Sequence, residues 1–321
     1  MSSPAAVTVI VPGFDVAPYA AEALDSLRRQ SLRDWVAILI DDGSTDATPG
    51  VFADAAESDP RFRVVRHRER AGLGAARNTG LDLVDTPFLG FLDADDVLTP
   101  TALERMVGVL DESGSDFAVG AYVRLRPDGA GGYTVGVVQP WVAASTAPER
   151  RGTTIDEHPE ATGNIVAWSK VSRTEFWHRA GLRFPEGRLY EDQVVAQQMY
   201  ARARRFDTVP DVVAHWRIRA DGSSITQREA QLDVLRDCLE AMDAGLEVLQ
   251  AGGHPVAAQA RIGQMLRMDI PRLADIARLH PDAAYRRALG AFARDLWDHA
   301  GTARTTLDPA SATAVAAARL W

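Results

Sequence analysis

The sequence predicts an α/β protein: a doubly wound, Rossmann-like mixed sheet over residues 1–228, followed by a helical domain over residues 229–321. Three observations carry that reading. Short apolar runs of strand length alternate with stretches of helical spacing through the first two thirds of the chain. Several of those runs end abruptly in carboxylates, where an open α/β sheet binds its ligand. Beyond about residue 228 only helical spacing remains, with Pro255, Pro271, Pro281 and Pro309 as punctuation.

Residues 7–12 are a β-branched run closed by Pro12 and read as a buried parallel strand, with Gly13, Phe14 and Asp15 in the loop at its end. Residues 18–30 set Tyr19, Ala20, Ala23, Leu24 and Leu27 on one helical face, and Pro18 suits the first turn. A second buried run, 35–40, ends in Asp41, Asp42, Gly43, Ser44, Thr45 and Asp46. Ser44 or Thr45 can cap the following helix, but two acids directly off a buried strand point to a ligand hydroxyl or a base N–H. Residues 61–66 alternate as a half-buried strand. The small residues of 71–80 then open a helix through Leu81 and Leu83. Their glycines allow close approach of a ligand, and a helix N-terminus attracts phosphate. Gly72 and Gly74 lack the third glycine of a dinucleotide fingerprint. From the residues alone Arg77 is a surface arginine, with a ligand-side place beside Asn78 as the alternative.

Residues 88–92 form a buried strand that runs into Asp93, Ala94, Asp95 and Asp96. A core could not hold these carboxylates unpaired. Asp93 and Asp95 stand where a hard cation could be held with a phosphate on its other side. A solvated turn that caps the helix near Pro100 is the plainer alternative. A helix over 100–112, a strand over 117–125 and a hairpin return over 133–138 follow, while 139–163 reads as a long loop. Residues 173–181 look helical. Glu191 and Asp192 precede a helix over 193–204, where the dipole favours acids. Their functional reading is a general base, provided burial offsets the pull of the helix amides. Residues 206–219 read as a last strand pair with His215, Trp216 and Arg217 near its end, then a turn at Asp221, Gly222, Ser223 and Ser224. Helices are expected over 229–250, 256–279 and 282–300, and the alanine-rich segment 310–320 either packs or faces a partner.

Composition bounds the function. Hydrophobic residues make up 46% and charged residues 25% of the 321, ordinary for a soluble globular protein. A net charge of −9 argues against a nucleic-acid partner, and an anionic substrate would need a metal or placed arginines. The single cysteine, Cys238, excludes an intrachain disulfide and reads as a buried structural thiol in a reducing compartment. Neither a signal peptide nor an apolar run of the ~18 residues a membrane span needs is visible. The expected location is therefore cytoplasmic, at most at the inner face of the membrane.

In their order, these motifs resemble the family 2 glycosyltransferases, which have the GT-A fold. The resemblance covers roughly residues 5–225: the first strand at 7–12, the nucleotide-binding turn at 41–46, the basic helix at 74–80, the Asp-x-Asp motif at 93–95 and the acid pair at 190–192. The stretch from Trp168 and Lys170 through Asp192 to Arg219 and Ser224 is similar to the branch with wall-teichoic-acid and capsule sugar transferases. The resemblance implies inverting, Mn2+- or Mg2+-dependent transfer from a nucleotide diphosphate sugar, most commonly a UDP-sugar, to an acceptor hydroxyl of a cell-envelope glycan, a lipid-linked intermediate or a natural product. It further implies that Asp41 or Asp42 accepts from the base, with Pro12 and Asp15 lining base and ribose. Arg77 and Asn78 would sit near the nucleotide, Arg77 by its phosphates. Asp93 would hold the ribose or a metal-bound water, and Asp95 the cation. Asp192 would be the base with Glu191 its neighbour. Trp168, Lys170, His215, Arg217 and Arg219 would serve the diphosphate or acceptor region. Asp15 stands where the family usually has Asn. The helices after 228 are candidates for contact with a membrane surface or a second copy. Two other classes stand as alternatives: a non-catalytic nucleotide-sugar-binding protein acting through its helical domain, which needs no base, and a nucleotidyltransferase, which needs a basic first loop that residues 11–15 lack.

Overall fold

Strands apolar on both faces favour parallel pairing with helices packed on each side, and the amino-terminal half of the computed structural model follows that rule. The structure describes residues 5–222, 224 and 228–321, so Ser223 of the expected turn lies outside the described residues. Strands β1 (Val7–Gly13), β2 (Trp35–Asp41), β3 (Phe62–Arg66) and β4 (Phe88–Phe91) pair in the order β3-β2-β1-β4, all parallel. Helices α1 (Ala17–Arg28), α2 (Thr48–Ser58) and α3 (Leu73–Leu81) make the crossovers. Pro18 does sit in the first turn of α1. The turn before α2 differs from expectation: Asp46, not Ser44 or Thr45, accepts from the Thr48 amide at its start (2.8 Å).

The sheet continues with β5 (Val97–Leu98), β6 (Phe117–Pro127), β7 (Tyr133–Val135), β8 (Arg150–Thr153), β9 (Lys170–Arg173) and β10 (Phe206–Arg217). Beyond β4 the order is β9-β6-β10-β5, with β9 antiparallel to β4 and β6, and β10 parallel to β6. The sheet is therefore mixed, as the sequence predicts. Helices α4 (Ala102–Ser113), α5 (Pro140–Thr146), α6 (Thr174–Ala180) and α7 (Glu191–Arg202) complete this half.

Two expectations are corrected. Residues 139–163 are not a long loop but carry α5, β8 and a 3-10 turn over Pro159–Gly163. The Arg-Arg-Gly-Thr of β8 has no strand signature of its own and is extended because it pairs with β10. Residues 206–219 are not a strand pair but one strand. Its register shifts between Val209 and Val212, where Pro210 cannot donate to the ladder and a bulge absorbs the break.

Close approach explains two glycines. A Cβ at Gly80 would lie 2.4 Å from Ile10 Cγ2, so α3 rests directly on β1. A Cβ at Gly74 would lie 2.1 Å from the Pro185 carbonyl oxygen, so the start of α3 abuts the segment that leads into α7. The neighbour that Gly74 admits is the chain itself, not a ligand.

Helices α8 (Leu232–Ala251), α9 (Pro255–Gln264), α10 (Ile270–Leu279), α11 (Ala283–Asp298) and α12 (Pro309–Arg319) follow. The run expected over 256–279 is interrupted by a π-helical turn at Met265–Asp269, immediately before Pro271 in the first turn of α10. One core fills the sheet and its helices and takes in Leu249, Ala257 and Ala258; a second gathers Leu235, Met242, Ile262, Leu273, Tyr285 and Leu296. Helix α12 buries Val315 and Ala318 in the second core, while Ala310, Ala312, Ala316 and Ala317 stay exposed. Cys238 is buried there too, and burial pushes its thiol up to about 12. Among the described residues no helix is long and apolar enough to cross a membrane.

Candidate functional site

The carboxyl ends of β1, β2 and β4 bring the sequence-predicted acids to one edge of the sheet. Pro12 is buried within β1 opposite Ile40. Asp15 adopts φ 48°, a left-handed conformation that Asp and Asn tolerate better than most residues. Its Oδ1 accepts from the Thr45 and Asp46 amides (2.8 and 3.3 Å), and its own amide donates to Ser44 Oγ (3.1 Å). The carboxylate thus ties two loops together. Asp41 is fully buried, accepts from the Ser44 amide (3.0 Å) and lies 2.9 Å from Arg66 Nε. Asp42 is held by three donors: His67 Nδ1 (2.7 Å), Ala71 N (2.9 Å) and Gly72 N (2.8 Å). His67 is fixed in turn by Thr79 Oγ1 (2.9 Å). The amides ahead of α3, read from the sequence as a phosphate cradle, are spent on the Asp42 carboxylate. Arg66 and His67 escaped the sequence reading, because neither carries a motif.

At the end of β4 the partners change from amides to arginines. Arg77 is only 1% exposed. Its Nη2 donates to Asp93 (2.7 Å), its Nη1 meets Glu191 Oε1, and its guanidinium lies over the Phe184 ring. Neither a surface arginine nor one open to phosphates, it is a buried bridge between the two acid clusters. Asn78 is likewise engaged within the protein: it donates to the Phe184 carbonyl and Glu186 (both 2.9 Å) and accepts from the Phe184 amide (3.0 Å). Together they lock the 184–186 segment onto α3 and so fix the start of α7.

Asp95 Oδ2 accepts from Arg219 Nε (2.7 Å). Its carbonyl takes Arg217 Nε (2.7 Å), while Asp96 accepts from the Arg217 amide (2.7 Å). Asp96 therefore pins β10 to the acid turn. His215, one register step away opposite Val97, is half-buried, and burial lowers its pKa. Burial raises Asp95, with Arg219 opposing and Asp93 reinforcing; it raises Asp96 still further.

Helix α7 begins after Tyr190, a non-glycine residue at φ 59°. That strained turn, held by Tyr190 Oη on Glu229 (3.1 Å), aims the next two acids into the molecule. Burial pushes Glu191 up to about 7 against the pull of Arg77. Burial also raises Asp192, which Arg77 and Lys170 hold down in part. Asp192 lines a small cavity with Phe91, Ile165, Lys170, Trp177 and Phe184. Lys170 is buried and satisfies its ammonium on Asn164 O (2.7 Å), Asn164 Oδ1 (3.2 Å) and Val166 O (2.7 Å); burial lowers it to about 7. Trp168 packs edge-on against Tyr122 at 4.8 Å.

The donor set suits a hard divalent cation that takes only part of its shell from protein. Asp93 and Asp95 each have one oxygen engaged by an arginine, and among the described residues no hydrogen bond is seen to the other. Their oxygens are the ligand type Mg2+ and Mn2+ prefer, with substrate phosphates and water completing the shell. Among the described residues no group of three or more His, Cys, Asp or Glu could hold an ion without such help.

The sequence model described as Glycosyl transferase family 2 matches residues 8–146. The chain is 31% identical over 204 residues to the uncharacterized glycosyltransferase EpsJ of Bacillus subtilis (strain 168), over 62% of this chain and 57% of EpsJ. It thus spans little more than half the length of that relative. Its structure is similar to that of S. aureus TarS 1-349 in complex with UDP-GlcNAc, with a TM-score of 0.75 at 19% identity over 98% of this chain and 92% of that one. It is also similar to the mannosyltransferase PcManGT from Pyrobaculum calidifontis in complex with GDP-Man and Mn2+ (TM-score 0.55, 21% identity, 100% of this chain and 88% of that one). At these identities the likeness concerns the fold.

Proposed function

Because residues 8–146 form a glycosyl transferase family 2 domain, we propose that this chain transfers a sugar, with inversion, from a nucleotide diphosphate sugar to an acceptor hydroxyl of an envelope glycan or natural product. UDP is the proposed nucleotide, and residues 229–321 the proposed separate helical domain. One observation carries the reading: at the head of α7, Glu191 shares the buried Arg77 with Asp93 beyond β4, and the same arginine acts on the adjacent Asp192, which burial raises.

That arrangement suits a displacement at the anomeric carbon. Asp192 takes the proton of the attacking hydroxyl as the new C–O bond forms and the bond to the diphosphate breaks. A carboxylate raised by burial is a stronger base than one in water, and Arg77 and Lys170 favour its ionised form. Asp93 and Asp95 would hold a divalent cation, which when bound offsets negative charge on the leaving diphosphate. Arg217 and Arg219 brace the acid turn from β10. Asp41, Asp42 and Asp15 order the loops on which base and ribose would rest.

The test is nucleotide release from a panel of nucleotide sugars, with and without Mn2+. Release from one donor, lost with chelator, is expected. No release from any donor would leave the non-catalytic binding protein as the better account.

A further inference from the structure

On the sheet face that carries Tyr122, Arg124 makes no ion pair with a carboxylate among the described residues. Arg124 lies two residues beyond Tyr122 on β6, so the two side chains share a face. It sits in register with Trp216 of β10. Its guanidinium lies 5.4 Å from the Trp141 ring centroid and 5.1 Å from that of Trp216. Its Nε is buried and has no hydrogen-bond partner. The charged groups that act on it are Arg126, further along the same face, and Arg272 of α10; both are cations, and Tyr122 is the remaining titratable neighbour. Arg272 is paired with Glu229 and Asp269, and Arg126 is exposed. By contrast Arg77, Arg217 and Arg219 each meet a carboxylate.

Cation–π contact orients a guanidinium but does not neutralise it. A half-buried guanidinium with a buried, unpartnered Nε and no carboxylate against it among the described residues is suited to an anion from outside. Tyr122 links this spot to the base: it packs on Trp168 and feels the charges of both Arg124 and Asp192. The donor side is different ground. Arg217 alternates to the opposite face of β10 from Trp216, towards Asp95 and Glu22.

We propose that the acceptor carries an oxyanion, a phosphate ester or carboxylate, which Arg124 binds between Trp141 and Trp216 so that a neighbouring hydroxyl faces Asp192. The planar guanidinium fork matches either anion bidentately, and the two indole faces suit the ring or carbon chain of a sugar or polyol. This assignment rests on the transferase reading and names the acceptor class for that same site.

The experiment uses the full chain and the donor found by nucleotide release. Initial transfer rates are compared on two matched pairs, glycerol phosphate against glycerol and methyl glucuronide against methyl glucoside. The pairs separate a phosphate from a carboxylate source. The charged member of one pair is expected to show at least about tenfold higher kcat/KM, a factor that corresponds to 1.4 kcal/mol. Arg124→Gln should collapse that preference through KM, and Arg124→Lys should restore part of it. Equal use of both members, no use of the charged ones, or a preference that survives Arg124→Gln overturns the proposal. Absence of nucleotide release from every donor would instead sink the transferase reading beneath it.

Discussion

Two acid clusters end the strands that flank β1 in one sheet, and they are satisfied in opposite ways. After β2, Asp41 and Asp42, with Asp15 from the next loop, accept mainly from backbone amides and from His67. Around β4 and α7, Asp93, Asp95 and Glu191 are held by the long side chains of Arg77 and Arg219. Amides fixed in a turn do not leave, so the first cluster is scaffold. Side chains can yield to a ligand, and burial already works against the charge of the second cluster. The lesson is that acids alike in sequence divide by the kind of donor that meets them.

The comparison predicts a graded series. Arg77→Met removes the cation shared by Asp93 and Glu191 and should cost the most, about 3–5 kcal/mol, as for other broken buried pairs. Thermal melting would read it, and the loss should shrink at low pH as the carboxylates protonate. Asp42→Ala should cost about 1–3 kcal/mol by stranding the amides of Ala71 and Gly72. A melting temperature equal to that of the parent chain would break the claim that this cluster is scaffold.

Asp95→Asn should behave in the reverse way. Burial opposes the Asp95 charge, so the melting temperature should hold or rise, while the Mn2+-dependent gain in UDP affinity disappears in calorimetry. The pH profile sharpens the contrast further. Asp192 is raised above the 3.8 of an ordinary aspartate and Glu191 to about 7. The base is active when ionised, so kcat/KM should fall as pH drops, with its acid limb above 3.8. For stability the sign is opposite: a carboxyl whose folded pKa is raised favours the folded state when protonated, so the Glu191 contribution declines as pH climbs from the 4.5 of an ordinary glutamate through about 7. Asp15→Asn should have the smallest effect, within about 0.5 kcal/mol, since an amide carbonyl can accept the same bonds from Thr45 and Asp46.

The sheet was legible where a strand is apolar on both faces, as in β1, β2 and β4, because burial there is written into consecutive residues. Strand β8 and the bulged β10 were not, since their form depends on partners far along the chain and on Pro210. The acids of the site were legible from their place at strand ends. Their partners were not: Arg77 and Glu191 are separated by 114 positions, and nothing local marks Arg77 as buried. The same holds for Lys170, whose three acceptors come from a turn with no motif.

The central claim is that the β4 acids serve the donor and Asp192 serves the proton. Asp192→Asn tests it most directly, with UDP affinity in the presence of Mn2+ and single-turnover transfer measured on the same preparation. UDP affinity within about twofold of the parent and transfer lowered by ~10²-fold or more is the expected result. Transfer above about a tenth of the parent rate, or a parallel loss of UDP binding, would contradict it.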